Sequence, residues 1–175
     1  PPPPPPRART APPDTRPTRA PARSVAPPAA EAGATVLLVT RHAEKLETAA
    51  EEIRAAGGEA YVYPTDLSSF DQVDALAEAV LERHGGVDVL VHNAARSIRR
   101  PASQSVDRFH DYERTMALNY FAPVRLTLRL LASLRERSGV ISHVLTQGVL
   151  IPTPFFPAYT ATKAALDAFG DSLMA

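Results

Sequence analysis

Cysteine is absent from the 175 residues, which excludes disulfides, thiolate metal sites and cysteine nucleophiles. No run is long and apolar enough to span a membrane, and no basic segment leads into an apolar one as in a signal peptide. The expectation is a soluble, cytoplasmic protein. An excess of one charge is lacking too: 19 basic residues stand against 19 acidic ones, so there is no electrostatic footprint for nucleic acid, and small molecules are the expected partners. Lysine is scarce. It occurs only at Lys45 and Lys163, every other basic position apart from histidine being Arg. Glycine is missing from the whole stretch before Gly33.

Proline is not scarce, and most of it lies in residues 1–29 together with five arginines and a single acid, Asp14. A segment without apolar periodicity cannot bury enough surface to offset its ordering entropy, so this stretch reads as a disordered Pro/Arg-rich tail. Its opening run, Pro2 to Pro6 followed by Arg7, fits a loose SH3-ligand pattern that nearly any polyproline would fit. From residue 30 the pattern becomes that of one domain. Residues 29–33 look like a last helical turn closed by Gly33, and 34–40 is a β-branched run suited to a buried parallel strand. A helix is expected over 44–56, with Leu46, Ala49 and Ile53 on one face, then a strand over 60–63. A second helix over 70–84 has Ser69 as its N-cap and Val73, Leu76, Val80 and Leu81 as its apolar face. Strands at 87–91 and 140–145 flank a long helical region over 106–137. Strands alternating with helices of this length predict βαβ units and an open parallel sheet.

Two local features carry chemistry. Tyr159 and Lys163 lie four apart at the start of a helix and so share a face. A tyrosine hydroxyl titrates near pH ~10, and a neighbouring ammonium lowers that value by favouring the phenolate. Taken alone the pair is a weak signal, since chance supplies Tyr-x-x-x-Lys often. Pro123 sits inside the long helix, where it has no N–H to give the carbonyl four residues earlier. That carbonyl belongs to Asn119, which gains a free backbone acceptor beside its amide side chain.

With these residues in place, the stretch from Ala29 to Ala175 resembles the short-chain dehydrogenase/reductase family. The matches run in the family's order: Thr40-Arg41 after one strand, Asp66-Leu67 after the next, His92-Asn93-Ala94-Ala95 after the third. Asn119 follows in the long helix, then Thr146 at a strand end, and Tyr159-x-x-x-Lys163. The resemblance implies a Rossmann-like α/β fold with helices on both faces of the sheet, and hydride transfer between a nicotinamide cofactor and a carbonyl or alcohol. Tyr159 would be the general acid or base, and Lys163 would hold the nicotinamide ribose and lower the Tyr159 pKa. The Asn119 carbonyl would bind a water reaching Lys163, and Thr146, where the family usually has Ser, would orient the substrate oxygen. Asp66 and Leu67 would meet the adenine, and Asn93 and Ala94 would line the cofactor cleft. Residue 40 is Thr where NAD-preferring members carry an acid, and Arg41 offers a guanidinium to a 2′-phosphate, so NADP is expected over NAD. A homodimer through the long helix and the Tyr159 helix is implied as well.

The substrate is a small carbonyl or alcohol compound. Residues 149–157 could give it an apolar wall, or serve as core or dimer surface. Arg96, Arg99 and Arg100 read first as an exposed basic loop and second as a contact for an acidic or phosphate-bearing substrate. The family's first strand and its Gly-rich phosphate turn have no counterpart before Gly33, and the last strands are missing after residue 175. The expected sheet is therefore incomplete, with a hole at its middle, in a fragment or disturbed gene model. The alternative function is a catalytically inactive fragment or interaction module that uses the Pro-rich tail and the helical dimer surface.

Overall fold

The computed structural model describes residues 22–173, so the greater part of the proline-rich tail and its SH3-like run lie outside the described residues. Helix α1 (Ala22–Glu31) begins inside the stretch assigned to the tail and carries Pro27 and Pro28. What orders it is packing. Ala26 and Ala30 are buried against Leu38, Leu46, Ala50, Ile53 and Ala60. It ends as expected: Gly33 takes φ +89°, its N–H donates to the Ala30 carbonyl, and the Ala34 N–H donates to the Ala29 carbonyl, the Schellman arrangement that only a residue without Cβ enters freely.

Strand β1 (Thr35–Thr40) pairs in parallel with β2 (Glu59–Pro64), joined through α2 (Ala43–Ala55). Helix α3 (Phe70–His84) then leads to β3 (Val89–His92). A nearly continuous helical column follows, made of α4 (Phe109–Met116), a π-helical turn (Ala117–Phe121) and α5 (Ala122–Glu136). It returns to β4 (Val140–His143), which pairs in parallel with β3, and α6 (Pro157–Ser172) follows after a loop. Alternation along β1 gives the sheet two buried faces. Val36 and Leu38 pack towards α1 and α2, whereas Leu37 and Val39 pack towards α3 and α5.

Among the described residues the strands form two separate sheets, β1–β2 and β3–β4. Both rest on the same helical layer, because Leu37, Val39 and Tyr63 from one and Leu90 and Ile141 from the other pack on the cluster of Val73, Leu76, Leu126 and Leu130. The break falls where the sequence predicts the hole. Ser69 differs from expectation: it stands at the head of α3 in extended conformation, but its side chain makes no capping hydrogen bond. The turn is held instead by Asp66, as described below.

The turn into β3 is tightly constrained. Gly86 has φ +131°, and a Cβ there would lie 2.6 Å from the Ser133 Cβ on α5. Gly86→Ala should therefore lower stability by about 2–3 kcal/mol through both backbone strain and overpacking. Urea unfolding would read this as a lower midpoint at unchanged slope.

Candidate active site

All four strands are parallel within their pairs, and their C-terminal ends carry the residues singled out by sequence. Thr40-Arg41 ends β1, Asp66 follows β2, His92-Asn93 ends β3, and Thr146 follows β4. In open parallel sheets this edge forms the ligand crevice.

Asn119 is the internal brace. It lies in the π-helical turn directly ahead of Pro123 and is fully buried. The turn absorbs the proline, since a wider i→i−5 coil tolerates a missing donor. Its side-chain Oδ1 accepts from the Arg96 N–H at 2.8 Å, while Nδ2 donates to the Arg96 carbonyl at 2.9 Å and to Thr162 Oγ1 at 3.0 Å. One amide thus ties the loop after β3 to α6.

Helix α6 opens with Pro157 in its first turn, where a missing N–H is harmless. Tyr159 and Lys163 follow on one face. Lys163 is 1% exposed, and its Nζ donates to the Val144 carbonyl just past β4 at 2.7 Å. Burial disfavours the ammonium and lowers its pKa. Tyr159 is half-buried. Burial raises its hydroxyl above the ordinary tyrosine value, and a hydrogen bond with Thr146 offsets part of that rise. The Lys163 ammonium is engaged with the Val144 carbonyl. Thr146 Oγ1 also accepts from the Gly148 N–H at 3.3 Å, which fixes the hydroxyl at the loop's start.

The residues assigned to the cofactor are differently placed. Arg41 is exposed, and its Nε contacts His42 Nε2 at 3.3 Å. Asp66 Oδ1 accepts from the Ser68 N–H at 2.9 Å, and the Asp66 backbone N–H donates to Gln72 Oε1 at 2.8 Å, so Asp66 holds the turn into α3. Leu67 packs on the core. Ala94 is exposed, and Asn93 Oδ1 is buried without a hydrogen-bond partner. A buried acceptor left unpaired is costly and points to a missing donor. Asn93 and Arg41 fit a dinucleotide along this edge. A Gly-rich cradle for its pyrophosphate has no counterpart among the described residues.

His92, part of the motif at the end of β3, has a partner that the sequence did not single out. His92 and His143 are register partners at the ends of β3 and β4, with rings 5.4 Å apart. His92 Nε2 is 2.8 Å from Thr127 Oγ1, and His143 stacks on Phe169. Equal positions at two strand ends were the available signal. Burial first, then the charges of His143 and Lys163, push His92 down to about 3. The unfolded chain takes up that proton at the ordinary value of 6.5, so it binds more protons than the fold between about 6.5 and 3. Stability should be flat in pH above that window and decline as pH falls through it, by about 2 kcal/mol between pH ~6.5 and ~5. Urea midpoints should decline less steeply in His92→Asn. Parallel declines would contradict the role given to His92.

A sequence model of the short chain dehydrogenase family matches residues 22–175. The chain belongs to that family. It is 51% identical over 150 residues to an uncharacterised oxidoreductase of Mycobacterium tuberculosis (strain ATCC 25618 / H37Rv), covering 83% of this chain and 44% of that protein. It is 47% identical over 147 residues to the fatty acyl-CoA reductase of Acinetobacter baylyi, covering 83% of this chain and 50% of that protein. The chain thus spans about half the length of these relatives. Among solved structures, a metagenomic short-chain oxidoreductase in complex with NADP superposes with TM-score 0.83 at 32% identity, covering 89% of this chain and 70% of that one. This short-chain dehydrogenase therefore has the Rossmann-like fold of its family. Among its described residues no helix is long and apolar enough to cross a membrane.

Proposed function

We propose that the protein is an NADP-dependent oxidoreductase that interconverts a carbonyl and an alcohol on a long-chain, apolar substrate. The observation that carries this is Tyr159, half-buried at the start of α6 with the Thr146 hydroxyl close enough to lower its pKa, and Lys163 buried one turn on along the same helical face. The nicotinamide, when bound, supplies or accepts the hydride. Tyr159 gives its hydroxyl proton to the carbonyl oxygen in reduction and takes it back in oxidation. Thr146 orients that hydroxyl and the substrate oxygen. Lys163 places a cation where the nicotinamide ribose would lie.

NADP is favoured by the exposed Arg41 guanidinium and by Thr40 in place of a carboxylate. The solved NADP complex of a relative agrees with it. The apolar substrate draws on the fatty acyl-CoA reductase relative and on an open groove of about 580 Å³ lined by Val149, Leu150, Ile151 and Pro154. That groove meets α6 at Pro157, Thr160 and Ala161. Homodimer formation belongs to the same reading, supported by exposed Phe109, Phe121 and Leu128 on the helical column.

Because burial keeps Tyr159 protonated through neutral pH, NADPH-dependent reduction of a long-chain aldehyde should be independent of pH from about 6 to 9 and should decline only at or above the ordinary tyrosine value of ~10. Alcohol oxidation should rise as the phenolate forms. A reductive rate that halves near neutral pH would contradict this assignment.

A further inference from the structure

Two groups behind the crevice are left with unmet hydrogen bonds, and their deficits are complementary. Lys163 is enclosed, and an ammonium carries three N–H donors. Among the described residues its Nζ finds one acceptor, the Val144 carbonyl at 2.7 Å. Next to Val144 stands His143, whose Nε2 is buried and has no hydrogen-bond partner. Enclosed donors without acceptors and an enclosed acceptor without a donor each cost free energy, and a link between them relieves both.

The setting of the His143 ring leaves Nε2 as the spare nitrogen. Its Nδ1 edge faces α6: a Cβ at Gly170 would lie 2.8 Å from Nδ1 and 3.1 Å from Cε1, so the helix admits the ring only because residue 170 has no side chain. The Leu166 backbone, one turn earlier, is close enough to favour a proton on the ring. With that proton on Nδ1, Nε2 is a bare acceptor. Phe169 stacks on the ring with centres 6.3 Å apart. His92, held at Thr127 Oγ1, stands 5.4 Å away on the neighbouring strand. Lys163, Leu166, Asp167 and Gly170 recur at three- and four-residue spacing, so the lysine and the residues that receive His143 share one stripe of α6. The Lys163 charge reaches both imidazoles and lowers the pKa of each. Nothing among the described residues bonds Nε2 directly, so the link from Nε2 to the ammonium is one water long.

We propose that His143 is a positioning residue for Lys163: through one bound water its Nε2 takes a second ammonium proton, as the Val144 carbonyl takes the first. The third proton is left for the crevice, where the nicotinamide ribose would lie. This rests on the oxidoreductase reading above and deepens it, because the cation is then oriented before the cofactor arrives. His143 itself touches neither substrate nor cofactor.

Nitrogen–proton correlation spectra of the histidine side chains, recorded on the full chain without cofactor, test the link free of turnover. At neutral pH His143 should be the Nδ1–H tautomer with Nε2 accepting. Lys163→Met should move the Nε2 resonance and raise the His143 pKa, because a neighbouring cation is removed while His92 on β3 and Asp167 on α6, which also face the ring, stay in place. An Nε2–H tautomer, or an Nε2 resonance indifferent to Lys163→Met, would overturn the proposal. In a fluorescence titration, His143→Leu should bind NADPH about fivefold more weakly. His143→Gln, whose side-chain oxygen can still accept near the place of Nε2, should recover most of that loss, and the circular dichroism of both variants should match that of the unaltered chain. Equal affinity in His143→Leu, or no recovery in a folded His143→Gln, would also overturn the proposal. If the unaltered chain binds no NADPH, the oxidoreductase reading fails, and the tautomer with its response to Lys163→Met decides the bridge.

Discussion

Tyr159→Phe should lower the rate of NADPH-dependent carbonyl reduction by about a thousandfold or more while leaving the fold intact. The phenyl ring keeps the half-buried packing of Tyr159 on α6 and removes only the hydroxyl that meets Thr146. General acid catalysis by a placed group contributes about 10²–10⁴ in rate, and no second donor in the crevice replaces it. Lys163 is turned to the Val144 carbonyl, and Thr146 is far too weak an acid to transfer a proton at neutral pH. The loss should appear in kcat, with cofactor affinity little changed. Turnover retained in the Phe variant would remove Tyr159 from the mechanism.

The largest effect on stability is expected at Asn119. Asn119→Ala removes three hydrogen bonds at once. It strands the Arg96 N–H and carbonyl in a region where Asn119 itself is wholly enclosed, while Thr162 keeps only its bond to the Tyr159 carbonyl. An unsatisfied buried polar group costs about 1–3 kcal/mol, and the cavity adds to this, so a loss of about 3–4 kcal/mol is expected by urea unfolding. Asn119→Asp should recover part of it through the Arg96 N–H but not the bonds made by Nδ2. A cost below about 1 kcal/mol for the Ala variant would mean that the clamp is not what holds the β3 loop to α6.

Much of this arrangement was legible in the sequence. The period of 70–84 marked α3 at its observed bounds; the β-branched run at 34–40 marked β1, as buried parallel strands do, and the strands expected at 60–63, 87–91 and 140–145 overlap β2, β3 and β4. The split into two sheets among the described residues matches the absence of glycine from the sequence ahead of Gly33. Pro123 signalled a disturbed helix at Asn119, and a π-helical turn stands there. Side-chain allegiances were not legible. Nothing in the spacing of Tyr159 and Lys163 says that the ammonium turns to a carbonyl contributed by a distant strand end. The proline count masked α1, whose order depends on Leu38, Leu46 and Ile53, residues outside its own segment. The packing of Leu67 and the pairing of His92 with His143 are likewise set by the tertiary fold.

A fluorescence titration with NADPH tests the central claim most directly. If this strand-end crevice is the cofactor site of an oxidoreductase, NADPH fluorescence should be enhanced and saturate at micromolar concentration. Affinity should fall about tenfold in Lys163→Met, which removes the expected ribose contact, and in Arg41→Ala, which removes the expected 2′-phosphate contact. A flat titration with the folded chain, or saturation that neither change weakens, would contradict it.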